Sequence, residues 1–417
     1  MDDDHGGSRL RLARMSTAAV FFNQGLIIAS WASRIPAIKA AAGLSDGLFG
    51  LALLGAPLAS IAVMRPAAKI IAKHGSRGLI RASVIANVAA MILLATARNG
   101  ASLAVALAVL GTVGGTLGIG MNAQGVQIER RYGRPLMIGF HAGYSFGGLA
   151  GALLGSVAAR SGYSPLRHLA LTAIISAALC LAASRWLITG ADQPAGPGRR
   201  SSAARLLRDT PVLWVLGAIV FCMLLSEGAM ADWSALFMRD TLGTTAGTAA
   251  LAYAGFSLME AVTRLGGNRL IASLGAVATV RAGAALAAIS LAIALLVPSP
   301  AVAIAGFGLF GFGMAAIAPI AFSAAGNKPG IPSSSALARV MSVGYTGIFV
   351  GPALIGVVAQ GAGLTVALGI PAALVAGIVV LAPAVRDASD GSHGSDGSKT
   401  AAPGYAVSGS VHSQEGS

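Results

Sequence analysis

Three carboxylates stand inside long apolar runs: Glu227 in the middle of VLWVLGAIVFCMLLSEGAMADWSALFM, Asp232 about a turn and a half further on, and Glu260 in the run that follows. A charged side chain at the centre of a membrane helix costs at least roughly 2.5 kcal/mol unless it faces a partner or water. Such a group is suited to titrating a proton or holding a polar solute, and Glu227 is the leading candidate for either role. Asp232 is placed to pair with Arg34 at the end of the first run, as a gate or as a bridge that specifies the fold. Glu260 has Arg264 at i+4, the spacing of a helical ion pair.

Uncharged polar and aromatic residues fall in the same layer: Asn23, Gln24 and Trp31 in the first run, Asn122 and Gln124 in the fourth, His141 and Tyr144 in the fifth, Trp233 in the seventh, Tyr253 in the eighth and Tyr345 in the eleventh. Amides offer donors and acceptors, and rings cover apolar faces, so the set suits a hydroxylated or aminated small molecule. Each alone serves equally as glue between helices. Neither Gly143-Tyr144-Ser145-Phe146-Gly147 nor Gly306-Phe307-Gly308-Leu309-Phe310-Gly311 reads as an enzyme motif, because both lie within apolar helices and the motifs they mimic need a strand-turn-helix context. Cys180 and Cys222 read as small core residues with no metal spacing. The expectation is a non-enzyme without cofactor or metal.

The elements that must position these residues are membrane helices. Apolar residues make up 55% and charged residues 11% of the 417, with a mean hydropathy of +0.75, whereas a soluble domain carries about a quarter charged residues. The apolar stretches suit a hydrocarbon core of roughly 30 Å, and in lipid they must be helical to pair their backbone groups. Twelve spans are predicted, over 15–36, 47–68, 78–97, 101–127, 136–159, 166–188, 211–237, 246–266, 278–297, 301–325, 338–360 and 363–384.

The chain also repeats itself. Gln24-Gly25 and Trp31 are echoed by Glu227-Gly228 and Trp233, Gly118-Ile119-Gly120-Met121 by Gly311-Phe312-Gly313-Met314, and Gly143-Tyr144-Ser145 by Gly344-Tyr345-Thr346. The predicted organisation is an N-terminal tail (1–14), a six-helix half (15–189), a polar basic linker (190–210), a second six-helix half (211–385) and a disordered tail (386–417). Gly143, Gly147, Gly151 and Gly155 repeat every four residues and should let another helix approach backbone to backbone. Gly111, Gly114, Gly115 and Gly118 in span four, and Gly347 and Gly351 in span eleven, are expected to act likewise, with a kink at Pro352.

With both termini inside, every basic residue of the 29 except Arg34, Lys39, Arg98, Arg160, Arg167 and Arg239 falls on the cytoplasmic side, Arg264 included. That asymmetry follows the positive-inside rule, so the net charge of +14 needs no nucleic-acid partner. Arg9, Arg11 and Arg14 before an apolar run look like a signal sequence, but the run is too long, and it is read as a retained first span.

Twelve spans in two halves, a basic central linker and the loop after span two resemble the major facilitator superfamily. Its loop signature, G-x-x-x-D-[RK]-x-G-[RK]-[RK], is matched at Lys73, Gly75 and Arg77, while Ala68 and Ala72 replace its first glycine and its acid. The comparable stretch of the second half is Arg264-Leu265-Gly266-Gly267-Asn268-Arg269, with Asn268 where an acid is usual. FFNQGLIIASWASRIPAIK, MNAQGVQIERRYGRPLMIGFHAGYSFGGLAGALLG, EGAMADWSALFMRD and ALARVMSVGYTGIFVGPALIG are similar to a bacterial branch related to fucose-permease-like sugar transporters. The resemblance implies an all-α membrane protein of the major facilitator fold, a monomer in the bacterial plasma membrane, moving a small polar solute by proton-coupled alternating access. Efflux of a secondary metabolite and a non-transporting receptor are the alternatives.

Overall fold

The structure is a computed structural model that describes residues 3–133, 136–189, 211–328 and 333–386. Its helices are α1 (Asp3–Ala32), α2 (Ile35–Ala41), α3 (Asp46–Leu53), α4 (Gly55–His74), α5 (Ser76–Thr96), α6 (Gly100–Tyr132), α7 (Met137–Arg160), α8 (Pro165–Ala183), α9 (Pro211–Leu236), α10 (Ala246–Leu274), α11 (Ala276–Leu296), α12 (Pro300–Met314), α13 (Ile317–Gly326), α14 (Ser333–Ala362) and α15 (Leu364–Leu381). The pairs α3/α4 and α12/α13 each make one broken crossing, so the described residues make twelve. Eleven of these are long and apolar enough to span a membrane. The twelfth, α10, is long enough, but Glu260 and Arg264 hold its hydropathy down.

The expected spans match these helices to within several residues at most ends. The largest differences are α1, which starts at Asp3 rather than residue 15, and α10, which runs on to Leu274 rather than 266. The predicted linker 190–210 and the tail from residue 387 lie outside the described residues. We call the face where α1 begins the terminal face and the opposite one the far face.

Side-chain caps start four helices at the far face: Ser45 for α3, Asn99 with Ser102 in a capping box for α6, Ser164 for α8 and Thr245 for α10. At the terminal face the α4/α5 and α10/α11 turns are single glycines. Gly75 has φ 78° and ψ 169°, and Gly275 has φ 79° and ψ 162°, a region essentially reserved for glycine. The matched glycine of the loop motif, Gly75, is thus explained by backbone geometry. Its true counterpart in the second half is Gly275. The stretch 264–269, expected to be the matching loop, lies inside α10.

The two halves repeat one packing scheme. Helix α1 packs on α7 as α9 packs on α14, α4 on α6 as α10 on α12, and α5 on α6 as α11 on α12. The glycine stripe of α7 performs as expected: Gly147 and Gly151 meet the carbonyls of Phe22 and Leu26 on α1, and Gly155 meets Ser33. Gly347 and Gly351 repeat this against Phe221 and Leu225 of α9, and α14 runs continuously through Pro352. In α6, Gly111 and Gly115 pack on Ala56 and Ser60 of α4, but a methyl on Gly118 would meet nothing within 4 Å. Gly118 therefore does not belong to the packing face, and Gly114 instead faces the Gln24 amide.

Between the halves, α7 meets α10 and α3 meets α14. The far face is the closed end. Gly50 and Gly356 bring the α3 and α14 backbones together, and the Gly47 N–H donates to Gln360 Oε1 at 3.3 Å. Lys39 bridges Asp46 of its own half and Asp240 of the other, the latter at 3.4 Å. The Ser156 hydroxyl donates to the Gly247 carbonyl at 2.7 Å.

Candidate functional site

Four helices bring six of the anticipated residues, Glu227, Glu260, His141, Tyr144, Tyr253 and Tyr345, to one place below that closure. Helix α9 supplies Glu227, α10 supplies Tyr253, Glu260 and Arg264, α7 supplies His141, Tyr144 and Ser145, and α14 supplies Tyr345. Glu260 sits midway along α10 and is only 4% exposed. Arg264 Nη2 lies 2.6 Å from Glu260 Oε1, and Nη1 donates to Ser145 Oγ at 2.5 Å. The Ser145 hydroxyl in turn donates to Glu260 Oε2 at 3.3 Å. This closed triangle crosses the seam between halves, since Ser145 belongs to the first and both charged residues to the second.

Glu260, Tyr144, Tyr253 and Tyr345 all lie within electrostatic range of Glu227. Glu227, Tyr144 and Tyr345 are half-buried, and His141, toward the terminal face and within electrostatic range of Arg264, is exposed. Residues deep in a bundle that solvent still reaches are the wall of an internal cavity. One guanidinium, paired with Glu260, stands within electrostatic range of a second carboxyl, Glu227, which leaves the cluster acidic unless a proton or a cation joins it.

The i+4 pairing of Glu260 with Arg264 is as the sequence suggested. Assigning Arg264 to the cytoplasmic loop set was not correct: it stands inside the bundle, because α10 continues past it. Ser145 was missed as a site residue. Its sequence signal was the serine of a motif set aside as an enzyme elbow, and it gains its role only from the facing helix.

Other expectations fail for identifiable reasons. Arg34 and Asp232 form no ion pair; the guanidinium of Arg34 donates to the Tyr163 carbonyl in the α7/α8 turn, held there because Arg34 follows α1 and α1 packs on α7. Asp232 is half-buried with no hydrogen bond or ion pair among the described residues. Trp31 and Trp233 are core rather than cavity: Trp233 is fully buried with its ring edge-on to Phe49, centroids 5.3 Å apart, beneath the α3/α14 closure.

Gln124 is also buried completely, and its amide is consumed structurally. Its Nε2 donates to Ser76 Oγ and to the Ile188 carbonyl, both at 2.8 Å, and its Oε1 accepts from the Ile188 N–H at 3.0 Å. Asn122 turns back to the Gly118 carbonyl at 2.8 Å and stays half-buried. Gln24 is buried with Oε1 unpartnered, whereas Asn23 faces away from the cluster into a groove between α7 and α8. Lys73 is exposed and Arg77 half-buried at the Gly75 turn, with no carboxylate partner for either among the described residues.

Comparisons with known proteins agree with this architecture. An uncharacterised MFS-type transporter of Yersinia pestis is 36% identical over 375 residues, covering 89% of this chain and 95% of the relative. Among solved structures, the nucleoside transporter NupG in mutant form superposes with a TM-score of 0.70 at 14% identity, covering 89% of this chain and 98% of that one. A variant of the E. coli fucose:proton symporter FucP does so with 0.58 at 18%, covering 90% and 98%. At these identities the two structures establish the fold alone. The family model described as Major Facilitator Superfamily matches residues 15–332, and with the Yersinia relative aligned over nearly its whole length the chain belongs to that superfamily of multi-pass membrane transporters.

Proposed function

We propose that this transporter couples a proton to the movement of a small polar solute that carries a positive charge, with the Glu227–Glu260–Arg264 cluster as the shared site. The observation that carries the reading is a second carboxyl, Glu227, within electrostatic range of the Glu260–Arg264 ion pair at mid-bundle. Two like-charged carboxyls close to one another favour the state in which one of them carries a proton. Deprotonation leaves an excess negative charge, which an ammonium group satisfies, and Tyr144, Tyr253 and Tyr345 offer ring faces and hydroxyls for the rest of the solute. The names of the structural relatives, a nucleoside transporter and a fucose:proton symporter, favour a polar solute, and closure of the far face favours a cavity reached from the terminal face. With the termini cytoplasmic, as the basic-residue asymmetry suggests, that state faces inward and rocks about the α7/α10 and α3/α14 seams.

The test is uptake into proteoliposomes under an imposed pH gradient, with neutral sugars, amino sugars and nucleosides. Wild type should accumulate the amino sugars. Glu227→Gln should lose gradient-driven accumulation while keeping counterflow exchange. Undiminished proton-driven transport by a Glu227→Gln protein that inserts normally refutes the assignment of the proton.

A further inference from the structure

The two halves dispose of one arginine differently. Arg81 stands six residues after the turn glycine Gly75, and Arg281 six residues after its counterpart Gly275. Their helices pack alike, α5 on α8 and α11 on α15. A short 3-10 turn closes each half, Ser184–Trp186 after α8 and Ala382–Val385 after α15. Its first residue in the first half, Ser184, accepts from Arg81 Nε at 2.7 Å. The same place in the second half is Ala382, which offers no side-chain acceptor. Arg281 Nε instead reaches the Val379 carbonyl at 3.4 Å, and its guanidinium stays exposed, without a carboxylate partner among the described residues.

Arg281 and Arg386 both line a groove of about 600 Å³ at the terminal face, beside the α10/α11 turn. Lys328 donates to the Arg386 carbonyl at 3.3 Å, so a third cation stands next to them. No carboxylate pairs with any of the three among the described residues. Arg281 lies about 8 Å along α11 from its start, close enough for a snorkelling side chain to reach the headgroup layer. The floor of the groove is Ala278, Ala282 and Ala285, which follow at i, i+4 and i+7 on one face of α11. That face continues through Ile289, Ile293 and Leu296, all exposed, so in a membrane it looks on to acyl chains. From Ala282 to Ile293 the helix rises about 16 Å, half of a hydrocarbon core of roughly 30 Å. The groove thus runs from a cationic rim at one surface on to lipid-facing helix one leaflet deep.

We propose that this groove binds one anionic phospholipid of the terminal-face leaflet. Its phosphate accepts from Arg281 and Arg386, taking the part that Ser184 Oγ plays for Arg81, and one acyl chain lies along Ala282, Ala285 and Ile289. Charge selects the class of lipid. A zwitterionic headgroup would bring its own ammonium against three cations, whereas an anionic one satisfies them.

The test is native mass spectrometry of the full-length protein released from nanodiscs made with equal phosphatidylglycerol and phosphatidylcholine. Wild type should retain one more phosphatidylglycerol than Arg281→Gln with Arg386→Gln. Arg65→Gln with Lys69→Gln, an equal loss of exposed charge at the same end of α4, should leave the count unchanged. Ala382→Ser restores the acceptor of the first half and should lower retention about fivefold, the worth of one competing hydrogen bond. Ala282→Phe should fill the groove and remove the lipid, and Asp387→Asn with Asp390→Asn should have no effect. The proposal is overturned by equal counts in wild type and the double arginine variant, by an equal loss in the α4 control, or by full retention in an Ala282→Phe protein that elutes and melts as wild type. A gain of lipid on neutralising Asp387 and Asp390 would also overturn it, by assigning the groove to the chain's own acidic tail.

Discussion

Arg264→Gln is the sharpest perturbation of the central cluster. It removes the 2.6 Å contact to Glu260 and the 2.5 Å bond to Ser145, and it leaves two neighbouring carboxyls with no cation. Breaking a buried pair from one side typically costs 3–5 kcal/mol, whereas replacing both partners by neutral groups of similar size is often close to neutral. The expected loss for Arg264→Gln is therefore about 3 kcal/mol. For Arg264→Gln with Glu260→Gln it is about 1 kcal/mol or less, since two amides can hydrogen-bond to each other and to Ser145. The assay is SDS-induced unfolding of the purified protein, completed as a double-mutant cycle with the Glu260→Gln single variant. A coupling energy of at least about 2 kcal/mol is expected. Additive losses would show that the pair is not an interacting unit and would remove the basis for placing the charged site there.

Four further substitutions test the scaffold and the corrected assignments. Gly147→Val should prevent α1 and α7 from closing and sharply lower membrane accumulation, while Gly118→Ala, with nothing within 4 Å, should change unfolding free energy by less than about 0.5 kcal/mol; both are read from expression and SDS titration. Gly75→Ala places a side chain at φ 78° and ψ 169° and should cost about 1–3 kcal/mol, with the melting temperature as readout. Gln124→Leu orphans Ser76 and both polar groups of Ile188 and should lower stability by about 1–3 kcal/mol without changing the KM of transport, since the amide does not line the cavity.

Composition and hydropathy period made the twelve crossings legible, because lipid leaves a chain few alternatives. The glycine stripe of α7 was legible for the same reason: spacing of four marks a smooth helix face whatever lies against it. What spacing cannot report is the partner. Asn23 and Gln24 are adjacent, so they point about 100° apart on a helix, and only one can face a given cavity. Gln124 looks like a ligand in sequence because its consumers, Ser76 and Ile188, come from distant turns. The wrong pairing of Arg34 with Asp232 arose likewise, from assigning both to one end of the membrane without knowing which neighbour each helix end would meet.

The departure of the two halves from symmetry falls where chemistry is needed. Their glycine faces correspond, so either half can serve as a rigid body, but at the pseudo-equivalent positions one half has the amide of Gln24 and the other the carboxyl of Glu227. Ser145 reaches from the first half to the ion pair of the second, so the charge state of the cluster bears directly on a contact between the moving bodies. Under the proposed coupling, a cationic solute or a proton arriving at Glu227 changes the charge beside the Glu260–Arg264 pair. As the pull of Glu227 on Arg264 changes, the bond of Arg264 to Ser145 would be strengthened or released. Among the described crossings, α10 is the one too polar to pass as a membrane span by its apolarity, and under the proposed coupling its polarity links occupancy to the seam between the halves.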